Sequence, residues 1–69
     1  MIKKGILKAF DAGTYLSSVQ IVGSLFVNLD NIPTSRAIPS AEMVADRNVA
    51  VMFLDISNFS DAVVIAIWG

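Results

Sequence analysis

Val49-Ala-Val-Met-Phe-Leu54 and Ala62-Val-Val-Ile-Ala-Ile-Trp68 are apolar at every position, and only the polar turn Asp55 to Asp61 parts them. A strand with one face on a core and one in water alternates apolar with polar residues. These two runs do not alternate. A short apolar run has no decisive period of its own, so length and flanks arbitrate. Both runs are short, rich in Val, Ile and aromatic residues, and bounded by Asp, Asn and Ser, which favours strand over helix. In each, one alternate set fills a core and the other meets something else. Val49, Val51 and Phe53 form the first set, with Ala50, Met52 and Leu54 opposite. In the last run Val63, Ile65 and Ile67 oppose Ala62, Val64, Ala66 and Trp68. The pattern leaves open which set lies inside.

Working outward, turn signals recur at short intervals: Asp11-Ala-Gly13-Thr14, Gly23-Ser24, Asp30-Asn31, Pro39-Ser40 and Asp46-Arg47-Asn48. That spacing predicts an all-β fold. The first strand runs from Ile2 to Phe10, with Gly5 marking a bend or a close backbone approach. It sets Gly5, Leu7 and Ala9 on one face. The second, Tyr15 to Val22, turns Val19 and Ile21 inward so that Ser18 and Gln20 reach water. The third, Leu25 to Leu29, puts Phe26 and Asn28 on the face opposite Leu25, Val27 and Leu29. The next piece, Ile32 to Ile38, holds Pro33, which cannot donate to a ladder and belongs at an edge. One helical turn fits Ser40 to Ala45, with Ser40 as its cap and Met43 and Val44 plugging the barrel. The fourth strand is then Val49 to Asp55 and the fifth Ala62 to Trp68. The expected architecture is one domain over residues 1–69, a five- to six-stranded antiparallel barrel of the SH3-like or oligonucleotide-binding (OB-like) type.

Composition narrows function. The chain has 69 residues, of which 55% are hydrophobic and 16% charged. So small a domain has much surface for its volume and is marginal alone. It is expected to be more polar than average and is less so. With no Cys and no His, disulfides, thiolate metal sites and the commonest general base are all missing. Oligomerisation is the remaining aid. Mean hydropathy is +0.68, but the longest uncharged stretch, Ala12 to Leu29, is studded with Ser, Thr, Gln, Asn and Gly, which argues against a membrane span.

Chemistry-bearing residues are sparse. Asp46, Asp55 and Asp61 are read as turn residues rather than an acid–base set, and Asp55, Asn58 and Asp61 do not follow a calcium-loop spacing. No enzyme activity, cofactor, metal or small-molecule substrate is expected. Net charge is −1. A nucleic-acid-binding barrel using Lys3, Lys4, Lys8, Arg36 and Arg47 is the alternative, and it requires those side chains to converge. Aromatic residues and Met are enriched at the centres of subunit contacts. The expected interface residues are Phe26, Met52, Leu54, Val64 and Trp68.

Five segments carry a resemblance. They are Gly5-Ile-Leu-Lys-Ala-Phe-Asp11, Tyr15-Leu-Ser-Ser-Val-Gln-Ile21, Met43-Val-Ala-Asp-Arg-Asn-Val-Ala-Val51, Phe53-Leu-Asp55 and Asp61-Ala-Val-Val-Ile-Ala-Ile67. Their order resembles that of the small β-barrel structural proteins of tailed bacteriophages, in the head, connector, decoration or baseplate. The resemblance implies a virion protein, assembled in the host cytoplasm, that contacts copies of itself or other virion proteins.

Overall fold

The computed structural model describes residues 1–23, 27–55, 57–58 and 61–69. It is all-β, with five strands and one short 3-10 turn. The strands are β1 (Ile2–Asp11), β2 (Leu16–Ile21), β3 (Val27–Pro33), β4 (Asn48–Phe53) and β5 (Ala62–Trp68). They form one sheet in the order β3-β2-β1-β4-β5, antiparallel at every step. The sheet curls until β5 meets β3. Thr34 bridges Val64 in parallel, and the Ser35 N–H donates to the Val64 carbonyl at 2.8 Å. Of the two barrel types expected, this order with a parallel β3–β5 seam is the OB-like one, a partly open five-stranded barrel.

Each inner rung is a row of facing apolar side chains. Val51 of β4 faces Val64 of β5, Val49 faces Gly5 and Ile67, and Leu7 of β1 faces Val19. Leu7, Val49, Val51 and Val64 are fully buried, and Ile32, Phe53 and Ala62 nearly so. Gly5 is needed where β1 passes between Ile21 and Val49. A Cβ there would sit 3.0 Å from the Gln20 carbonyl oxygen. This is the close approach that an isolated strand glycine signals. Val19 and Ile21 point inward, as the alternation of β2 requires.

Three bulges set the facing of side chains, and none is visible in an alternation pattern. In β1, Leu7 faces Val19 but Ala9 faces Ser18, so Lys8 is an extra residue. Beyond it the parity reverses: Ala9 is exposed and Phe10 packs on the core. In β3, Leu29 faces Val19 and Ile32 faces Ser17, so Asp30 and Asn31 bulge out, Asn31 with φ 57°. The expected turn at Asp30-Asn31 is therefore a bulge inside one continuous strand, and β3 absorbs the start of the piece expected to follow it. In β5, Ala66 faces Ala50 while Val64 faces Val51, which leaves Ile65 as the extra residue.

The barrel end beyond β3 is plugged as expected in outline and differently in detail. The 3-10 turn spans Ser40–Glu42, but Pro39 occupies the cap position and no side chain caps the turn. Ser40 is thus not the cap. Met43 and Ile38 are both buried in the core, whereas Val44 is 53% exposed and is no plug. The segment is tied to the β1–β2 loop by Tyr15, whose hydroxyl donates to the Ile38 carbonyl at 2.5 Å. Tyr15 has φ 58°, a left-handed conformation that is costly for a bulky residue. Its N–H bonds to Asp11 and its carbonyl accepts from Thr34. Underneath, the buried hydroxyls of Ser17 and Thr34 bond each other at 2.5 Å.

A candidate assembly surface

The outer wall of β1, β4 and β5 is built from three rungs. Ile2, Met52 and Val63 share the first, Lys4, Ala50 and Ala66 the second, and Ile6, Asn48 and Trp68 the third. The bulged Ile65 lies between the first and second and is half-buried. Lys4 is the only charge in these nine positions. Ile2 is 59% exposed, Trp68 45% and Leu54, just past β4, 64%. The remaining apolar members are half-buried by their neighbours on the wall. Towards β2 and β3 the outer face turns polar at the facing pair Gln20 and Asn28.

Of the expected interface residues, Met52 and Trp68 lie on this outer wall, and Leu54 is exposed just past the end of β4. Val64 does not. It is wholly buried in the barrel opposite Val51. The reason is the bulge at Ile65, which puts Val64 and Ile67 on the same inner side although they are three residues apart. Strict alternation assigns them to opposite faces. In β4, which carries no extra residue, Val49, Val51 and Phe53 are the inner set and Ala50 and Met52 the outer one. Phe26 lies outside the described residues. The wall also includes Ile2 and Val63, which the sequence pattern did not point to as contact candidates. The signal for Ile2 was weak, because Lys3 and Lys4 mask the apolar start of β1. Only the strand register joins it to Met52.

The five basic side chains do not gather. Arg47 pairs with Glu42 at 2.8 Å, and Lys8 meets Asp46 at 4.0 Å. Arg36 lies over the Tyr15 ring, 5.0 Å from its centroid. Tyr15 also meets Phe10 edge to face at 5.0 Å. Lys4 stands on the outer wall, while Lys3, opposite Val51, takes the inner side at the far barrel mouth.

Nor do the carboxylates gather. Asp46 precedes β4 and Asp55 follows it, so the strand's length, about 20 Å for six residues, parts them. Among the described residues no three His, Cys, Asp or Glu side chains come together as a metal site would require. Asp55 accepts from the Ser57 hydroxyl at 2.7 Å and the Ser57 N–H at 3.0 Å. These bonds, the hydroxyl's first, hold its carboxyl below the ordinary 3.8. This is a local turn built on an Asp side chain.

At the barrel mouth where β1 begins, a cavity of about 280 Å³ opens among Met1, Lys3, Ile21, Val27, Leu29 and Phe53. Its walls are apolar, and Lys3 is the one charged side chain among these lining residues. No helix among the described residues is long and apolar enough to cross a membrane.

Compared with known proteins, the chain matches no family model, no curated protein and no solved structure.

Proposed function

We propose that this chain is a non-enzymatic assembly subunit that associates through the outer wall of β1, β4 and β5. One observation carries the reading. Eight of nine positions on that wall's three rungs are uncharged, seven of them apolar, and Trp68 stands 45% exposed at its edge. A strand face that met only water would carry polar residues at these positions. Trp and Met are residues that contact centres favour. The resemblance to the small barrels of tailed phages supplies the setting: a virion structural protein whose partners are copies of itself or other proteins of the shell or tail. A fold alone does not assign a function, so the proposal rests on the wall and on that resemblance.

Nucleic-acid binding is the less favoured reading. Two of its five basic residues are engaged by carboxylates, and the others are dispersed over different faces. A phosphate-tracking site needs them side by side.

Sedimentation velocity at micromolar concentration tests the proposal. The wild-type chain is expected above its monomer mass of 7.4 kDa, while Val63→Asp and Trp68→Ala sediment as folded monomers. A wild-type chain that remains monomeric throughout the micromolar range overturns self-association. Strongly salt-dependent retention of an oligonucleotide on a filter would favour the alternative.

A further inference from the structure

The geometry points to a head-to-tail contact in which Trp68 of one copy enters the apolar cavity at the barrel mouth of the next. This inference rests on the self-association proposed above, takes from the wall only its Trp68 end, and names the receiving site.

The two features lie at opposite ends of the barrel. Trp68 closes β5 on the rung of Asn48, where β4 begins. The cavity is lined by Phe53, where β4 ends, together with Met1 and Lys3 at the start of β1 and Val27 at the start of β3. A copy cannot fill its own cavity with its own Trp68 across the length of the barrel. A second copy, placed end to end, can.

Size, polarity and charge agree. A cavity of about 150 Å³ with apolar walls already takes benzene, so about 280 Å³ has room for an indole. The walls are formed by Met1, Lys3, Ile21, Val27, Leu29 and Phe53, and their apolar groups offer the indole dispersion contacts. Lys3 makes no salt bridge among the described residues. A lysine among the lining residues suits an aromatic guest, and Trp is the best of the aromatic partners for a cation. A Trp seated in a desolvated pocket is the usual form of an interface anchor. Knob and hole are different surfaces of one chain, so the contact is heterologous. Repetition gives a ring if the rotation closes and a filament if it does not.

A mixing experiment decides it. Trp68→Ala keeps the hole and loses the knob. Val27→Phe keeps the knob and fills the hole. Each variant alone is expected to be a folded monomer, with self-affinity down about thirtyfold or more, and a 1:1 mixture is expected to form a heterodimer that grows no further. The chain has a single Trp, so its fluorescence reports burial directly. Emission is expected to shift to the blue as the wild type assembles and not as Val27→Phe is concentrated. Lys3→Glu, which leaves the cavity's volume open, should weaken assembly and serves if Val27→Phe does not fold. A wild-type oligomer whose Trp68 emission is the same before and after dilution to monomer overturns the inference while leaving self-association intact. So does an oligomer untouched by Val27→Phe, or a monomer found by native mass spectrometry to carry a small amphiphile in the cavity. A wild-type chain that never assembles removes the reading on which the inference stands.

Discussion

Val64 offers the sharpest quantitative test of the fold, because it belongs to the expected interface residues and the strand register puts it inside. Val64→Ala removes two methyl groups from a side chain that is 0% exposed and faces Val51. At about 0.8 kcal/mol for each carbon removed, plus a cavity left in a close-packed interior, the expected cost is about 2–3 kcal/mol. A chain of this length has roughly 3–10 kcal/mol of stability in total, so the loss is a large share of it. With a urea slope near 1 kcal/mol per molar for so small a protein, the unfolding midpoint should fall by about 2–3 M. Val64→Asp should not fold at all, since it buries a carboxylate with no partner. The assay is urea unfolding followed by circular dichroism at one fixed protomer concentration, because association shifts apparent stability. Val63→Ala, one residue earlier on the outer wall, is the control and should move the midpoint far less. If Val64→Ala keeps the wild-type midpoint, or if Val63→Ala costs more, the bulge at Ile65 is not where the structure puts it.

Three further outcomes are expected. Gly5→Ala should destabilise by about 1–2 kcal/mol, because its Cβ would press on the Gln20 carbonyl at 3.0 Å with Ile21 and Val49 close behind, and overpacking in a tight core costs that much; thermal denaturation reads it. Ser17→Ala should cost about 1–3 kcal/mol by leaving the buried Thr34 hydroxyl without its partner, whereas Ser17→Ala with Thr34→Val should cost less than the two singles combined; a double-mutant cycle in urea measures the coupling. Ser57→Ala should raise the Asp55 titration midpoint towards 3.8, since the Ser57 bonds lower it; the wild-type turn is then fully supported above pH 4 and loses that support as pH falls through the lowered folded value, which carboxyl NMR shifts against pH will follow.

Much of the fold was legible because burial imposes period two on a strand. Val19 and Ile21 against Ser18 and Gln20 marked the inner face of β2. Pro33 marked an edge, and Ala62 to Trp68 defined β5 to the residue. What alternation could not carry was parity across a bulge. Lys8, Ile65 and one residue of the pair Asp30-Asn31, which together stand opposite Ser18, each lengthen one strand only, and such a one-residue insertion turns every later side chain over. Nothing in Val63-Val-Ile-Ala66 distinguishes the extra residue, because all four side chains suit either face. That is why Val64 was expected on the outer wall and is found in the core. Asp30-Asn31 is a turn signal because Asp and Asn tolerate left-handed backbone, and the bulge, with Asn31 at φ 57°, uses the same tolerance. The proposed assembly wall was half legible. Met52, Leu54 and Trp68 follow from the doubly apolar runs, whereas Ile2 joins them only through the β1–β4 register. The cavity at the barrel mouth draws residues from β1, β2, β3 and β4, and no local pattern in any of them announces it.

The central claim, that the outer wall of β1, β4 and β5 exists to be covered, is tested most directly by the mass of the purified chain in solution. Light scattering coupled to size exclusion, over the micromolar range, should give a multiple of 7.4 kDa for the wild type and the single mass for Val63→Asp, with both showing the same circular dichroism. A wild type that elutes at the single mass throughout that range, folded and soluble with its apolar wall in water, would contradict the account.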